Sequence, residues 1–182
     1  MKRVPILTTT ADVRRMLARH NVQGVTDVAI LYEKFVPKKQ ALITLSRPTF
    51  LRDNLRALEN ATLSGSFITS EAADYSESGP PPSTFGNGPH AGVDDGGKSV
   101  LLSWFPSTMD MSHLVPVLQK YQLAGSFKES VIPTDSTAKL PISVLVKTAS
   151  ESEAYRIVRD LHMTNPLEKM RWSKLIQARI IH

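Results

Sequence analysis

The sequence predicts an α+β protein: two βαββαβ units joined by a flexible linker. Three observations predict it. Apolar residues recur at helical spacing in some segments and alternate in others, in the order helix, strand, strand, helix, strand in each half. The spacings repeat between the halves: Val4-Pro5 to Val13 to Leu17 runs nine and four residues, as does Phe105-Pro106 to Leu114 to Leu118, while Leu51 to Leu58 and Ala154 to Leu161 both span seven. Between the halves, the stretch Ser76 to Gly97 (SESGPPPSTFGNGPHAGVDDGG) holds thirteen Gly, Pro or Ser in twenty-two residues. Such a stretch buries too little apolar surface to offset the entropy of ordering it. The predicted boundaries are residues 1–69, an acidic linker at 70–97, and residues 98–182. A repeated βαββαβ unit of this size is the ferredoxin-like plan, a four-stranded antiparallel sheet with two helices on one face and the other face free.

In the first half, Thr10 or Thr9 caps a helix with Asp12 in its first turn and Val13, Met16, Leu17 and His20 along one face. Gly24 ends it. Val25 to Val36 alternates, with Val28, Ile30 and Tyr32 on one side; Pro37-Lys38-Lys39 reads as a turn; Gln40 to Ser46 alternates again. Pro48-Thr49 starts a second helix whose Leu51, Leu55 and Leu58 form a core stripe, and Leu63 to Ile68 turns into a last short strand.

The second half has a strand in front, Val100 to Pro106. Thr108 or Asp110 caps a helix carrying Leu114, Leu118 and Tyr121, which starts late or is kinked at Pro116. Phe127 to Ile132 reads as a strand, 133–139 as a polar loop, and Ile142, Val144 and Val146 as a third strand. Ser150 to Glu153 is a capping box for a helix with Ala154, Ile157, Val158 and Leu161 inward, and Leu175 to Ile181 closes the unit.

This second half resembles the RNA recognition motif (RRM). Val100-Leu-Leu-Ser-Trp-Phe-Pro106 is similar to the family's first-strand motif, residues 139–148 occupy its third-strand motif, and Glu153-Ala154 to Leu161 resembles its second helix. The first half resembles a degenerate unit of the same kind. If Val4-Pro5 corresponds to Phe105-Pro106, only Met1, Lys2 and Arg3 stand upstream, so the unit is N-terminally truncated, missing most of its first strand. Either another strand completes it, or the strand is Ile6-Leu7-Thr8.

The resemblance implies an RNA-binding protein that holds single-stranded RNA on its sheet faces. The family stacks bases on aromatic residues of its first and third strands. Here those positions hold Leu101, Ser143 and Leu145 in the second unit, and Gln40 and Leu42 in the first. An aromatic stack contributes about 1–3 kcal/mol per base. Without it, RNA would be held mainly through phosphates, and the alternative is a degenerate RRM-like protein–protein interaction module. The cations placed to meet phosphates are Lys38, Lys39 and Arg47 around the first unit's third strand, and Lys98, Lys139, Lys147 and Arg179 in the second, with Ser103 beside Leu101 on the first strand. Arg171, Trp172 and Lys174 lead into the last strand; Tyr32, Phe35 and Trp104 are each either core or stacking rings. Arg14, Arg15, Arg52, Arg56, Arg156 and Arg159 lie on outer helix faces and read as solvated charge.

Charge distribution agrees with an anionic ligand. The chain of 182 residues carries net +5, made of +6 over residues 1–69, −5 over 70–97 and +4 over 98–182. Having no cysteine, it forms no disulfide, thiolate zinc site or thiol nucleophile. No window approaches the ~18 apolar residues of a membrane span, so no membrane partner is expected, and MKRVPILTTT lacks the apolar core of a secretory signal. His20, His90, His113, His162 and His182 are scattered without a metalloprotease or deaminase pattern, and Gly86-Asn-Gly-Pro lacks the Lys and Ser/Thr of a P-loop. The expectation is a non-enzymatic intracellular monomer without cofactor or metal. Its compartment would be the nucleus or cytoplasm, or the mitochondrion if a transit peptide has been removed.

Overall fold

The computed structural model describes residues 1–73, 83–93, 96–106, 109–134, 142–166 and 174–182. The chain forms two compact units, one of residues 1–94 with the terminal His182, the other of residues 95–181. Of the sequence-based expectations, those on 76–82, Asp94, Asp95, Thr108, Lys139, Arg171 and Trp172 lie outside the described residues.

In the first unit, helix α1 (Thr10–Arg19) is capped by Thr9: its Oγ1 accepts from the Asp12 N–H at 3.1 Å, and the Asp12 carboxylate accepts from the Thr9 N–H at 3.1 Å. Val13, Met16 and Leu17 are buried, as their spacing predicts. Gly24 follows with φ +69°, where a Cβ would stand 2.4 Å from the Phe50 ring, so both the left-handed backbone and the close approach require glycine.

Strands β1 (Val25–Glu33) and β2 (Val36–Leu45) form an antiparallel hairpin. The turn is not at Pro37–Lys39. It is the two-residue loop Lys34-Phe35, with φ of 49° and 62°, between the paired Glu33 and Val36. Two positive φ values suit the right-handed strand twist. Pro37 to Lys39 belong to β2, where Lys38, Lys39 and Gln40 stand opposite Leu31 alone and bulge outward.

The bulge brings β2 against the N-terminus. The Lys39 carbonyl accepts from the Val4 N–H at 2.9 Å, and Lys2 bridges Gln40 on one side and Thr69 on the other. The order across this sheet is therefore Thr69, Lys2, β2, β1: fourth, first, third and second strand of a βαββαβ unit. Among the described residues, the bridged residue at the first position is Lys2. Ile6 and Leu7 form an exposed turn, so they are not that strand.

A turn of 3₁₀ helix at Pro48–Phe50 leads into α2 (Leu51–Ala57). The expected stripe is incomplete. Leu58 is buried, Leu55 half-buried, and Leu51 is 36% exposed. Asn54 is buried instead, donating to the Gln23 carbonyl at 2.8 Å and accepting from its N–H at 2.9 Å. A short hairpin, β3 (Thr62–Leu63) and β4 (Ser66–Phe67), precedes Thr69.

Residues 83–93 depart from the expected linker by folding into the first unit. Strand β5 (Gly88–Pro89) pairs with Leu31 and Tyr32 on the free edge of β1. The Phe35 N–H donates to the Gly86 carbonyl at 2.7 Å, the Lys34 N–H to Asn87 Oδ1 at 3.0 Å, and the Phe85 ring meets Phe35 edge-on at 4.9 Å. Ala91 and Val93 are buried. The glycines here supply backbone shape rather than disorder: at Gly92 (φ +65°) a Cβ would lie 2.3 Å from the Thr84 carbonyl oxygen.

The second unit contains β6 (Ser99–Phe105), a 3₁₀ turn (Met111–Leu114) running into α3 (Val115–Leu118), α4 (Phe127–Ser130), β7 (Val131–Pro133), β8 (Ile142–Lys147), α5 (Glu151–Leu161) and β9 (Gln177–Ile181). The all-antiparallel order β7-β8-β6-β9 is second, third, first, fourth, the complete ferredoxin-like plan. Pro116 sits in the first turn of α3, where a missing N–H costs nothing, so the helix starts late rather than kinking.

The expected strand at Phe127 begins instead as a helical turn, because Ser126 and Glu129 form a reciprocal capping box. Ser150 caps α5, but Glu153 does not complete the box; its carboxylate accepts from the Gln122 N–H at 3.0 Å. The closing strand starts at Gln177, with Ile176 bridged to Thr164 ahead of it. Val100, Leu102, Phe105, Val144, Val146, Ala178 and Ile180 pack in one core with Leu114, Leu118, Tyr121, Ala154, Ile157 and Leu161.

Candidate nucleic-acid interface

In a strand, residues alternate between faces, so the helix-side residues identify the opposite face. In β6, Val100 and Leu102 point to the core, leaving Ser99, Leu101 and Ser103 on the other side. Leu101 pairs with Leu145 of β8 and Arg179 of β9, forming the middle rung of that face. Both central positions of this rung, Leu101 and Leu145, are aliphatic, so neither offers a ring to a base. Ser143 donates its hydroxyl to Ser103 at 3.0 Å, which occupies two of the remaining positions with each other. The cations lie toward the ends: Lys147 opposite Ser99, and Lys98 just before the strand, its carbonyl held by the Thr148 N–H and hydroxyl at 2.9 and 2.6 Å. Lys98, Lys147 and Arg179 are half-buried.

Trp104 lies on the surface rather than in the core. Ser103 and Trp104 form a bulge between the pairs Leu102–Val144 and Phe105–Ile142, and Trp104 has φ +78°. The side chain is 39% exposed, with Lys174 Nζ 5.2 Å from its ring centroid. A ring face with a cation over it combines stacking capacity and positive charge. No sequence signal marks that bulge, since tryptophan is a poor candidate for positive φ.

In the first unit, Ile43 and Leu45 line a cavity with Leu51, Leu55 and Leu58 of the α2 segment. Gln40 and Leu42 therefore lie on the opposite face, half-buried, with Leu42 across from Ala29. Lys38 and Lys39 are adjacent and exposed on the β2 bulge, and Lys38 Nζ stands 3.4 Å from Glu33. Arg47 is exposed beyond the other end of β2. The structure thus joins Lys38 to Lys39 but leaves Arg47 apart. Tyr32 is core at 3% exposure, and Phe35 is buried against Phe85, so neither is a stacking platform.

The outer helix arginines behave as surface charge. Arg14 meets Asp27 and Arg15 meets Asp12, both at 3.4 Å, and Arg156 meets Glu153 at 3.1 Å. Exposed pairs of this kind contribute about 0–1 kcal/mol each. The Gln122 N–H at its carboxylate holds Glu153 below the usual glutamate value. Between α3 and α5, burial and then the neighbouring Asp160 push the Tyr121 hydroxyl up to about 12. That hydroxyl donates to Asp160 at 3.2 Å, a structural tie rather than an acid–base device. Among the described residues, no group of three or more His, Asp or Glu is placed to hold a metal ion, and no helix is long and apolar enough to cross a membrane.

No protein-family model and no curated protein matches this sequence. Solved structures do. The chain is similar to a Sex-lethal protein–RNA complex at 10% identity and TM-score 0.36, over 98% of this chain and 95% of that one. RNA recognition domains 1 and 2 of Sex-lethal from Drosophila melanogaster match at 11% identity and TM-score 0.34, over 98% and 96%. The PID-3 TOFU-6 RRM domain complex matches at 17% identity and TM-score 0.35, over 49% of this chain and 97% of that one.

Proposed function

We propose that this chain is an RNA-binding protein that holds single-stranded RNA mainly through phosphate contacts. The observation that carries the reading is the adjacent, exposed pair Lys38 and Lys39, which the β2 bulge lifts off the sheet of a split βαβ unit. The net charges of +6 and +4 over residues 1–69 and 98–182 support it. Because Leu101 and Leu145 are aliphatic, the reading assigns contact to strand ends and bulges rather than to the middle of the second sheet. Trp104 with Lys174 is the place there for a stacked base. An RNA ligand goes with an intracellular location, nuclear or cytoplasmic, and the reading assigns the protein no reaction.

The test is a titration of labelled single-stranded RNA pools, followed by fluorescence anisotropy at ~50 and ~200 mM salt. With three phosphate contacts, binding weakens roughly 20-fold between those conditions. No binding at the lower salt overturns the proposal. That outcome favours the second reading, a protein-interaction module on the same fold, which one observation supports: aliphatic Leu101 and Leu145 form the rung where the family stacks bases.

A further inference from the structure

The turn between β1 and β2 is made of residues that do not favour its shape. Lys34 and Phe35 both have left-handed backbones, with φ of 49° and 62°. A two-residue turn of this kind is ordinarily built from Asn and Gly. Here the turn is held from outside the hairpin. The N–H groups of both turn residues donate to the 83–93 segment, Lys34 to Asn87 Oδ1 at 3.0 Å and Phe35 to the Gly86 carbonyl at 2.7 Å. The Phe35 ring lies against Gly86, where a Cβ would stand 3.0 Å from it, and meets the Phe85 ring edge-on at 4.9 Å.

The backbone and the side chain of Asn87 do different work. Its backbone closes the tip of the 83–93 segment, donating to the Thr84 carbonyl at 2.7 Å and accepting from the Thr84 N–H at 3.2 Å. Any residue supplies those two bonds. The side-chain oxygen is what reaches the hairpin. The turn in turn sets where the lysines stand. Only the rungs Glu33–Val36 and Tyr32–Pro37 lie between it and Lys38, and regular pairing resumes beyond the bulge, at Ile30–Ala41. Lys38 and Lys39 therefore hang between the clasped turn on one side and, on the other, the bond from the Val4 N–H to the Lys39 carbonyl.

We propose that Asn87 is a positioning residue for the phosphate contacts: by clasping the Lys34-Phe35 turn, it holds Lys38 and Lys39 in the arrangement that meets RNA. The inference rests on the RNA-binding reading above. It makes the 83–93 segment part of the binding device although none of its side chains touches the ligand. Clasp and ligand then favour the same conformation of the hairpin, so each strengthens the other.

The test is Asn87→Ala in the full chain, titrated with the labelled single-stranded RNA pools. Binding at ~50 mM salt should weaken roughly 2–10-fold, the net worth of one hydrogen bond. The slope of log K against log salt should fall by about 0.7, one phosphate contact on a single strand. A purely stabilising role would reduce the folded fraction and leave that slope unchanged. Lys34→Asn puts a residue suited to the left-handed backbone into the turn, which then needs no clasp. Added to Lys34→Asn, Asn87→Ala should alter neither affinity nor slope. Saturating RNA should also slow amide exchange at Lys34 and Phe35 in the unsubstituted chain. An unchanged slope in Asn87→Ala, an equal loss in both backgrounds, or exchange at Lys34 and Phe35 indifferent to RNA each overturns the inference while leaving RNA binding standing. No binding by the unsubstituted chain overturns both.

Discussion

The two units follow one plan and close it differently. In the second, β6 runs through the sheet with a partner on each side, and the α5 residues Ala154, Ile157 and Leu161 are at most 3% exposed beneath it. In the first, among the described residues, Lys2 bridges the flanking strands, and the matching helix is held by Leu58 and the Asn54 hydrogen bonds while Leu51 stays on the surface. A central strand thus does two things at once: it completes two ladders and roofs the helix stripe. The 83–93 segment covers the β1 edge of the first unit. An edge left bare is a pairing hazard.

The comparison can be broken most sharply by truncation at equivalent depths. Leu102→Ala in the second unit should cost about 2–5 kcal/mol, whereas Leu51→Ala in the first should cost under about 1. Both tryptophans lie in residues 98–182. Urea melts by tryptophan fluorescence should therefore shift for the first variant and not for the second. Equal shifts would mean that the two helices are equally well roofed.

Gly92→Ala tests whether the 83–93 segment supports the first unit. The added Cβ meets the Thr84 carbonyl at 2.3 Å in a left-handed backbone, so a loss of about 1–3 kcal/mol is expected. Exchange at Leu31 and Tyr32 amides should quicken while tryptophan fluorescence melts stay put. Unchanged exchange would return this segment to the status of a linker.

Replacing Lys38 and Lys39 together by Glu should weaken RNA binding roughly tenfold and lower the slope of log K against log salt by about 1.4, two phosphate contacts on a single strand. Lys98→Glu, at a half-buried position in the second unit, should do less. The reverse ranking would move the main contact to the second unit.

The smallest effect concerns acid. Glu129 and Glu153 are held below the usual glutamate value of 4.5, the first by the Ser126 hydroxyl and N–H, the second by the Gln122 N–H. A depressed folded-state value means stability that is present above 4.5 and lost as the pH falls through the lower folded value. In the first unit, Asp12 is lowered in the same way by Thr9. Melts between pH 5 and about 3 should soften the second unit more, and Glu153→Gln should narrow the gap. An identical pH dependence in the variant would assign the loss to other carboxylates.

Much of the fold was legible because its signals are local. Thr9 with Asp12, the Val13–Leu17 face, the alternation of Val28, Ile30 and Tyr32, and Ser150 before α5 each act within one or two turns of chain. Other features carried no such signal. The Lys34-Phe35 turn holds neither Gly nor Asn, the residues that favour its positive φ values. The Gly- and Pro-rich run at 83–93 looks like linker because its few apolar residues, Phe85, Ala91 and Val93, matter only once Phe35 and the edge of β1 are beside them. Of the candidate site, Lys38 and Lys39 were visible as charge. That a bulge exposes them was not, nor that Trp104 is turned outward.

By itself the sequence determined most helices with their caps, most strands by alternation, and the basic character of both halves, because these depend on neighbours two to four residues away. Only the tertiary structure decided which edge residues 83–93 would cover, where the bulges of β2 and β6 would fall, and that Trp104 would be turned outward. Those outcomes depend on pairing between segments tens of residues apart, where backbone hydrogen bonds, not side-chain pattern, select the partner.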